Sequence, residues 1–192
     1  MPRRHEVNPA GPPMKQTPID PALLRRALGA FVTGVTVVTT RSVAGDPVGI
    51  TVNSFNAVSL SPPLVLWSLS LRAASFDAFV RSSHFAVNVL GAQQIPLSER
   101  FAATGGDKFA GVAWRKALAE MPLLEGTAAS FVCRNVHRFP GGDHLIFVGE
   151  VVAFEKGARA PLVYANGDYA ELREVSNARQ SGAPCIKMVT SG

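Results

Sequence analysis

The chain has 192 residues, 47% of them hydrophobic and 17% charged, which excludes a globally disordered protein and provides for one domain with a sizeable core. The net charge of +5 raises the question of nucleic-acid binding. Because the basic residues are scattered and only 8% of residues are aromatic, a basic surface that attracts small anionic molecules explains this charge at least as well. No apolar run reaches the roughly 20 residues that span a bilayer and no secretory signal is visible, so we expect a cytoplasmic protein with neither a membrane nor a nucleic-acid partner.

The N-terminal part of the chain divides into a leader and a helix. Residues 1–18 are rich in proline, glycine and charge, and this composition predicts a disordered leader. Asp20 followed by Pro21 is typical of a helix start, because the aspartate side chain caps free N–H groups and proline fits the first helical position. An apolar stripe extends this predicted helix to about Phe31.

Strands follow the first helix. We predict a strand over 35–40 and a turn over 42–47. The stretch Gly49–Ser70 (GITVNSFNAVSLSPPLVLWSLS) is mostly apolar and β-branched, which predicts two further strands separated by Pro62 and Pro63.

The second half of the chain mixes short helices with strands. Helices are predicted over 74–83 and 93–103, a loop over 104–111, strands over 84–90, 127–139 and 143–156, and a small hairpin over 161–173 around Asn166-Gly167. Pro140-Gly141-Gly142 is predicted to turn the longer hairpin, and residues 174–192 to form a polar, loose tail. Inserted rather than alternating helices favour a mainly β antiparallel barrel over a doubly wound α/β fold, with one domain over 19–173.

Several familiar motifs are absent from the sequence. It contains no G-x-G for a dinucleotide fingerprint, no P-loop lysine, no HExxH and no GxSxG. Cys133 and His137 would lie about 13 Å apart on one strand, too far to share a metal ion, so we predict a core cysteine and a half-exposed histidine. Cys133 and Cys185 are distant in sequence, which makes a structural disulfide an unfavoured interpretation.

Small uncharged polar side chains interrupt the apolar strands of Gly49–Ser70. Because a strand alternates faces, Thr51 and Asn53 are predicted to point to one face of the strand TVNSFN, and Ser54 and Asn56 to the other. The row indicates either a bound ligand rich in hydroxyl and carbonyl groups or a solvent-exposed edge strand, and the pattern favours neither. The polar residues in question are Thr51, Asn53, Ser54, Asn56, Ser68 and Ser70.

Two more residues have a double interpretation. Ser75 opens the predicted helix over 74–83, where a serine is either a simple cap or part of an anion site. Arg100, late in the helix over 93–103, is either a phosphate ligand or an exposed surface arginine.

Four stretches in order resemble the short-chain flavin reductases, which are the reductase components of two-component flavin-dependent monooxygenases. These stretches are Gly49–Ser70, FAVNVL (85–90), DKFAG (107–111) and GGDHLIFVGEV (141–151). The resemblance covers roughly residues 20–173. It implies an FMN-binding split β-barrel, a Greek-key antiparallel barrel, that usually forms a homodimer.

The resemblance also implies a set of site residues. His144 would lie near the nicotinamide, with an orienting or proton-handling role, and the segment from Tyr164 to Tyr169 would shape the NADH pocket. Because Ala73 and Ala74 replace a basic residue common in relatives, the phosphate cation stays open between Arg72 and Arg100. The implied cofactor-binding residues are Thr51, Val52, Asn53, Ser54, Ser68, Leu69, Ser70, Ala74, Ser75, Arg100, Phe101 and Tyr169.

The implied reaction is hydride transfer from NADH or NADPH to the N5 atom of FMN or FAD, after which reduced flavin reaches a separate oxygenase. Such chemistry agrees with a sequence that shows no convincing acid–base pair. Two alternatives stay open: a non-catalytic flavin-binding sensor or carrier on the same barrel, and an oxidase of the pyridoxamine-phosphate type on a related split barrel.

Overall fold

A computed structural model describes residues 18–172, so the predicted tail, nearly all of the predicted leader, and Cys185 lie outside the described residues. The elements in this range follow in the order α1 (Pro21–Gly29), β1 (Thr33–Gly34), β2 (Thr36–Arg41), β3 (Pro47–Val52), β4 (Asn56–Leu60), β5 (Pro63–Ser70), α2 (Phe76–Arg81), β6 (His84–Val89), α3 (Ile95–Ala102), β7 (Trp114–Lys116), a 3-10 turn (Leu118–Glu120), β8 (Pro122–Leu124), β9 (Ala129–Gly141), β10 (His144–Lys156), β11 (Val163–Ala165) and β12 (Asp168–Ala170).

Helix α1 begins where its capping residue places it, whereas α2 and α3 have no side-chain cap among the described residues. The Asp20 carboxylate accepts hydrogen bonds from the N–H groups of Ala22 at 2.7 Å and Leu23 at 3.4 Å, which confirms the predicted start of α1. Helix α2 has only six residues and is shorter than the predicted helix over 74–83. So short a helix has a weak dipole, and an anion bound near its start would depend on neighbouring side chains.

One antiparallel sheet of seven strands, in the order β3-β2-β6-β9-β10-β5-β4, forms the body of the domain. Its two edge strands, β3 and β4, are consecutive in sequence and are joined by residues 53–55 alone. In a flat sheet these edges would lie about 29 Å apart, whereas the four Cα–Cα steps from Val52 to Asn56 span about 14 Å at most. The sheet therefore curls until its edges approach each other.

This connection corrects the prediction of a single strand from Gly49 to the prolines. Strand β3 ends at Val52 and β4 begins at Asn56, on the opposite edge of the sheet. The inference that Thr51 and Asn53 share one strand face, with Ser54 and Asn56 on the other, is wrong for that reason.

The predicted hairpins are present. Strands β9 and β10 have 13 residues each, and their turn is Gly142-Asp143, because Pro140 and Gly141 still pair within the sheet. Asn166 and Gly167 have φ values of 53° and 88° and connect β11 to β12, as a two-residue hairpin turn requires. The small hairpin β7–β8 was not predicted.

The curled sheet encloses an aromatic core. Trp67 is fully buried and stacks on Phe147 at 4.7 Å, while Phe79 and Phe85 meet its ring edge-on. A second cluster lies between α3 and the sheet and contains Phe101, Phe109, Leu90 and Leu162.

The cysteine prediction is confirmed for Cys133, which is a free, buried thiol in the core of β9. Burial raises the pKa of this thiol to about 12, so it stays protonated and unreactive at neutral pH. His137, on the same strand, is exposed. Within residues 18–172 no cluster of three or more metal-ligating side chains occurs, and no helix there has the length and apolar character to cross a bilayer.

Candidate functional site

A cleft of about 460 Å³ lies between β3, the turn before α2 and the loop after α3. We call it the basic cleft, because its charged lining residues are Arg72 and Lys108 against Asp107. Its volume is within the usual range of small-molecule sites. The cleft is lined by Pro47, Val48, Gly49, Ile50, Arg72, Ala73, Ala74, Ser75 and residues 102–109.

Ser75 and Ala74 lie in this cleft, as the sequence predicts for ligand-binding residues. Ser75 precedes the first residue of α2, yet among the described residues its side chain makes no capping hydrogen bond. Its hydroxyl is therefore available to a ligand, and the interpretation of Ser75 as a simple cap is not supported.

The loop over 103–112 forms the opposite wall and is tied to α3 at two points. Lys108 Nζ donates a hydrogen bond to the Phe101 carbonyl at 2.9 Å, and an Arg100 guanidinium nitrogen donates to the Ala110 carbonyl at 2.6 Å. Gly105 and Gly106 have φ values of 79° and 72°, which favour glycine and leave the backbone open to a ligand. Partial burial lowers the pKa of Lys108, and an anion in the cleft would raise it again.

The two cations between which the sequence leaves the choice open, Arg72 and Arg100, have different positions. Both are exposed, but Arg72 lines the basic cleft, whereas an Arg100 guanidinium nitrogen donates to the Ala110 carbonyl. Lys108 was not singled out, although it belongs to the DKFAG stretch. Its signal was a lysine within a glycine-rich loop directly after a helix.

Phe101 is not placed to touch a ligand with its ring. The ring is fully buried, meets Phe109 edge-on at 5.0 Å and covers Gly49, where an added Cβ would come within 2.6 Å of it. Any contact of Phe101 with a ligand would be through its backbone.

A second concavity of about 260 Å³ lies beside the basic cleft, further along β3. We call it the tyrosine hollow. Thr51 Oγ1 donates to the Ser98 carbonyl at 2.7 Å, and the Tyr169 hydroxyl donates to Ser98 Oγ at 2.9 Å. The hollow is lined by Val35, Thr51, Val52, Asn53, Ser98, Ala102, Tyr164 and Tyr169. Four of the predicted site residues are thus brought together here.

The Ser54 side chain is bonded to the backbone of strand β5. Its hydroxyl donates to the Ser68 carbonyl at 3.1 Å and accepts from the Ser68 N–H at 3.0 Å. Ser54 therefore fastens the link over 53–55 to β5, which explains why a small hydroxyl side chain occurs there. Leu69 points into the core at 1% exposure, so only its backbone can face a ligand.

His144 lies directly opposite Ser70, across the β5–β10 pair. The Leu71 N–H donates to the Asp143 carbonyl, so the hairpin turn lies beside the turn that leads into the basic cleft. His144 Nδ1 is 2.7 Å from the Asp143 carboxylate, and this hydrogen bond lowers the pKa of Asp143. The bond orients the imidazole and leaves Nε2 facing outward from the pair.

A third concavity of about 800 Å³ is largely apolar and lies around α1 and the link over 53–55. Leu28, Phe31 and Val32 contribute to it and are 65%, 73% and 57% exposed. We call it the apolar hollow. Exposed apolar area of this kind is typical of an interaction surface.

Residues 28–173 match the flavin reductase like domain family. The chain is 43% identical over 150 residues to a "probable flavin reductase" of Rhizobium meliloti, covering 78% of this chain but only about half (48%) of that relative. It is 41% identical to the flavin-dependent monooxygenase reductase subunit HsaB of Mycobacterium tuberculosis, covering 79% of this chain and 82% of that protein. The NADH:FAD oxidoreductase SgcE6 of Streptomyces globisporus, solved with NAD and FAD fragments, has a TM-score of 0.78 and 36% identity over 84% of this chain and all of that one.

Proposed function

The chain belongs to the flavin reductase like family, and on this premise we propose that it is an NAD(P)H:flavin oxidoreductase that delivers reduced FMN or FAD to a separate flavin-dependent monooxygenase. The observation that carries the proposal is the pair of concavities along one edge strand. A cleft with two cations suits the flavin phosphate, and a neutral hollow lined by two tyrosines adjoins it. The curled seven-stranded sheet supports the finer assignment of an FMN-binding split barrel.

The residues of the basic cleft fit a flavin phosphate. Arg72 and Lys108 supply positive charge, the Ser75 hydroxyl is free to donate, and the loop backbone around Gly105 is open. FMN and FAD both present phosphate groups, so either flavin fits this chemistry. When bound, the flavin supplies the redox chemistry by accepting a hydride from the nicotinamide.

The residues of the tyrosine hollow orient the second ligand. Thr51 through Asn53 and Tyr169 border it, next to Ala102, which lines both concavities. Half-buried tyrosine rings exclude water from an apolar ring and keep a hydroxyl for a polar contact. We assign this hollow to the nicotinamide nucleotide, with Ser68 and Ser70 bordering the flavin from β5.

His144 orients the nicotinamide or transfers a proton through Nε2, and Asp143 holds the imidazole ring in place by its hydrogen bond to Nδ1. We expect His144→Ala to lower turnover with NADH about tenfold, while the flavin dissociation constant changes less than twofold. Steady-state kinetics and a fluorescence titration of flavin measure the two quantities. His137→Ala, which removes an exposed histidine from the neighbouring strand, is the matched control, and unchanged kinetics in His144→Ala would remove this residue from the site.

The decisive experiment for the proposed function is a nicotinamide oxidation assay. Purified protein is mixed with each flavin and each reduced nucleotide, and the nicotinamide absorbance band is followed. Steady oxidation with free flavin as co-substrate supports the reductase, and flavin binding without oxidation would point to a carrier. The relatives described above are named as reductases or oxidoreductases and give the carrier no support. A reaction with pyridoxamine phosphate and oxygen would indicate the second alternative, an oxidase of the pyridoxamine-phosphate type.

We assign the apolar hollow to a homodimer contact. Leu28, Phe31 and Val32 form an exposed apolar surface there, and such surfaces usually bind a partner. Light scattering should give twice the chain mass at micromolar concentration, and Phe31→Glu should shift the protein toward the single-chain mass. A monomeric wild-type protein would contradict the assignment. The cytoplasm is the proposed compartment, since it supplies nicotinamide nucleotides and keeps a thiol such as Cys133 reduced.

A further inference from the structure

Strand β12 lies at the edge of the small sheet β1-β11-β12. Among the described strands it pairs with β11 alone. Tyr169, at its centre, meets Tyr164 edge-on at 5.6 Å and donates its hydroxyl hydrogen to Ser98 Oγ. Among the described residues, the Tyr169 side chain links β12 to α3, and the Asn166 N–H at the hairpin turn donates to the Gly29 carbonyl of α1 at 2.7 Å.

Ser98 is the residue at which three walls of the tyrosine hollow meet. It lies on α3 and is 2% exposed. Its hydroxyl oxygen accepts a hydrogen bond from the Tyr169 hydroxyl of β12, and its backbone carbonyl accepts one from the Thr51 hydroxyl of the edge strand β3. A serine inside a helix ordinarily bonds back to its own helix or to solvent. In Ser98, the hydroxyl and the backbone carbonyl oxygen connect α3 to β12 and to β3.

We propose that Ser98 is a positioning residue for the nicotinamide nucleotide: acting through Tyr169, it fixes β12 and thereby sets the width of the tyrosine hollow. This inference rests on the proposed function. It separates two roles within one pocket, because Tyr169 contacts the nucleotide whereas Ser98 holds Tyr169 in place.

The test uses two variants that each remove one partner of the same hydrogen bond. Ser98→Ala deletes the acceptor, and Tyr169→Phe deletes the donor while the ring stays. Each is expected to raise the KM for NADH about three- to tenfold, with kcat and the flavin dissociation constant changed less than twofold. The double variant should resemble the single variants, because both changes remove one interaction.

Ser130→Ala is the matched control, since Ser130 is a buried serine of β9, 5% exposed, outside the hollow. A double variant whose KM equals the product of the two single effects would overturn the proposal, and so would an unchanged KM in Ser98→Ala. If Ser98→Ala fails to fold, amide exchange in Tyr169→Phe decides, because this variant removes a single oxygen from a half-buried ring, and unchanged exchange in residues 161–172 would overturn the proposal.

Hydrogen exchange separates failure of this inference from failure of the proposed function. Ser98→Ala and Tyr169→Phe should both speed amide exchange in residues 161–172 and leave β9 and β10 unchanged. If the wild-type protein oxidises no nicotinamide but this local effect is present, the proposed function fails while the attachment through Ser98 stands. Equal exchange in wild type and both variants would overturn the attachment itself.

Discussion

Arg72→Gln combined with Lys108→Gln is expected to weaken FMN binding by about 2–4 kcal/mol, which is roughly 30- to 1,000-fold in the dissociation constant. Hydrogen bonds to charged groups contribute about 1.5–3 kcal/mol each, and the exposure of Arg72 reduces its share. A fluorescence titration of flavin measures the loss. The affinity of the double variant should also depend less on salt.

Riboflavin is the sharpest control for this experiment, because it lacks the phosphate. The double variant should bind riboflavin as well as the wild type does. Arg81→Gln removes an exposed arginine at the end of α2 and should change FMN affinity less than twofold. A larger loss in Arg100→Gln than in Arg72→Gln would contradict the cation assignment, since Arg100 is engaged with Ala110.

The same site predicts a pH dependence. Lys108 is positively charged below its pKa and neutral above it, so FMN affinity should fall as the pH rises through that pKa. Partial burial lowers the pKa of Lys108, which brings the decline to a lower pH than an exposed lysine would give. In Lys108→Gln this part of the pH profile should be absent.

Trp67→Ala is expected to reduce the free energy of unfolding by about 3–5 kcal/mol, the usual cost of emptying an aromatic core position. Trp67 is fully buried and contacts Phe79, Phe85 and Phe147, so its truncation to alanine would leave a cavity inside the aromatic core. Urea unfolding followed by far-ultraviolet circular dichroism measures the change. Leu60→Ala, at a side chain that is 76% exposed, should cost less than about 0.5 kcal/mol.

Trp67→Phe provides the matched comparison. The indole N–H of Trp67 is buried without a hydrogen-bond partner among residues 18–172, and phenylalanine removes that unsatisfied donor while keeping an aromatic ring. We therefore expect Trp67→Phe to cost much less than Trp67→Ala. Equal losses in the two variants would show that ring stacking does not stabilise this core.

The sequence predicts the elements whose signals are local. Asp20-Pro21 sets the start of α1 and Asn166-Gly167 sets the last turn, because capping and left-handed conformations depend on one or two residues. The strand break after Val52 depends instead on which partners lie beside each half. Strand β3 pairs with β2 and β4 with β5, at opposite edges of the sheet, and no local residue encodes that separation.

The candidate site shows the same division. Ser75, Thr51 and Tyr169 were identified from the family resemblance, and they lie in the two concavities. Lys108 was missed, and the ring of Phe101 is buried, so the ligand contact expected of this residue would be made by its backbone. Both depend on how α3 packs against β3 and how the following loop folds back, which are tertiary features outside the reach of sequence patterns.

The close packing of Phe101 on Gly49 constrains how this protein can diversify. Even alanine at position 49 would place its Cβ within 2.6 Å of the buried Phe101 ring, so that ring would have to move. Such a change would disturb the basic cleft, which Gly49 lines. Side chains added at Gly105 and Gly106 would, by contrast, meet open space, and there only the positive φ values favour glycine. Evolution toward a different flavin or nucleotide is therefore expected to change the loop after α3, while position 49 remains glycine across divergent descendants.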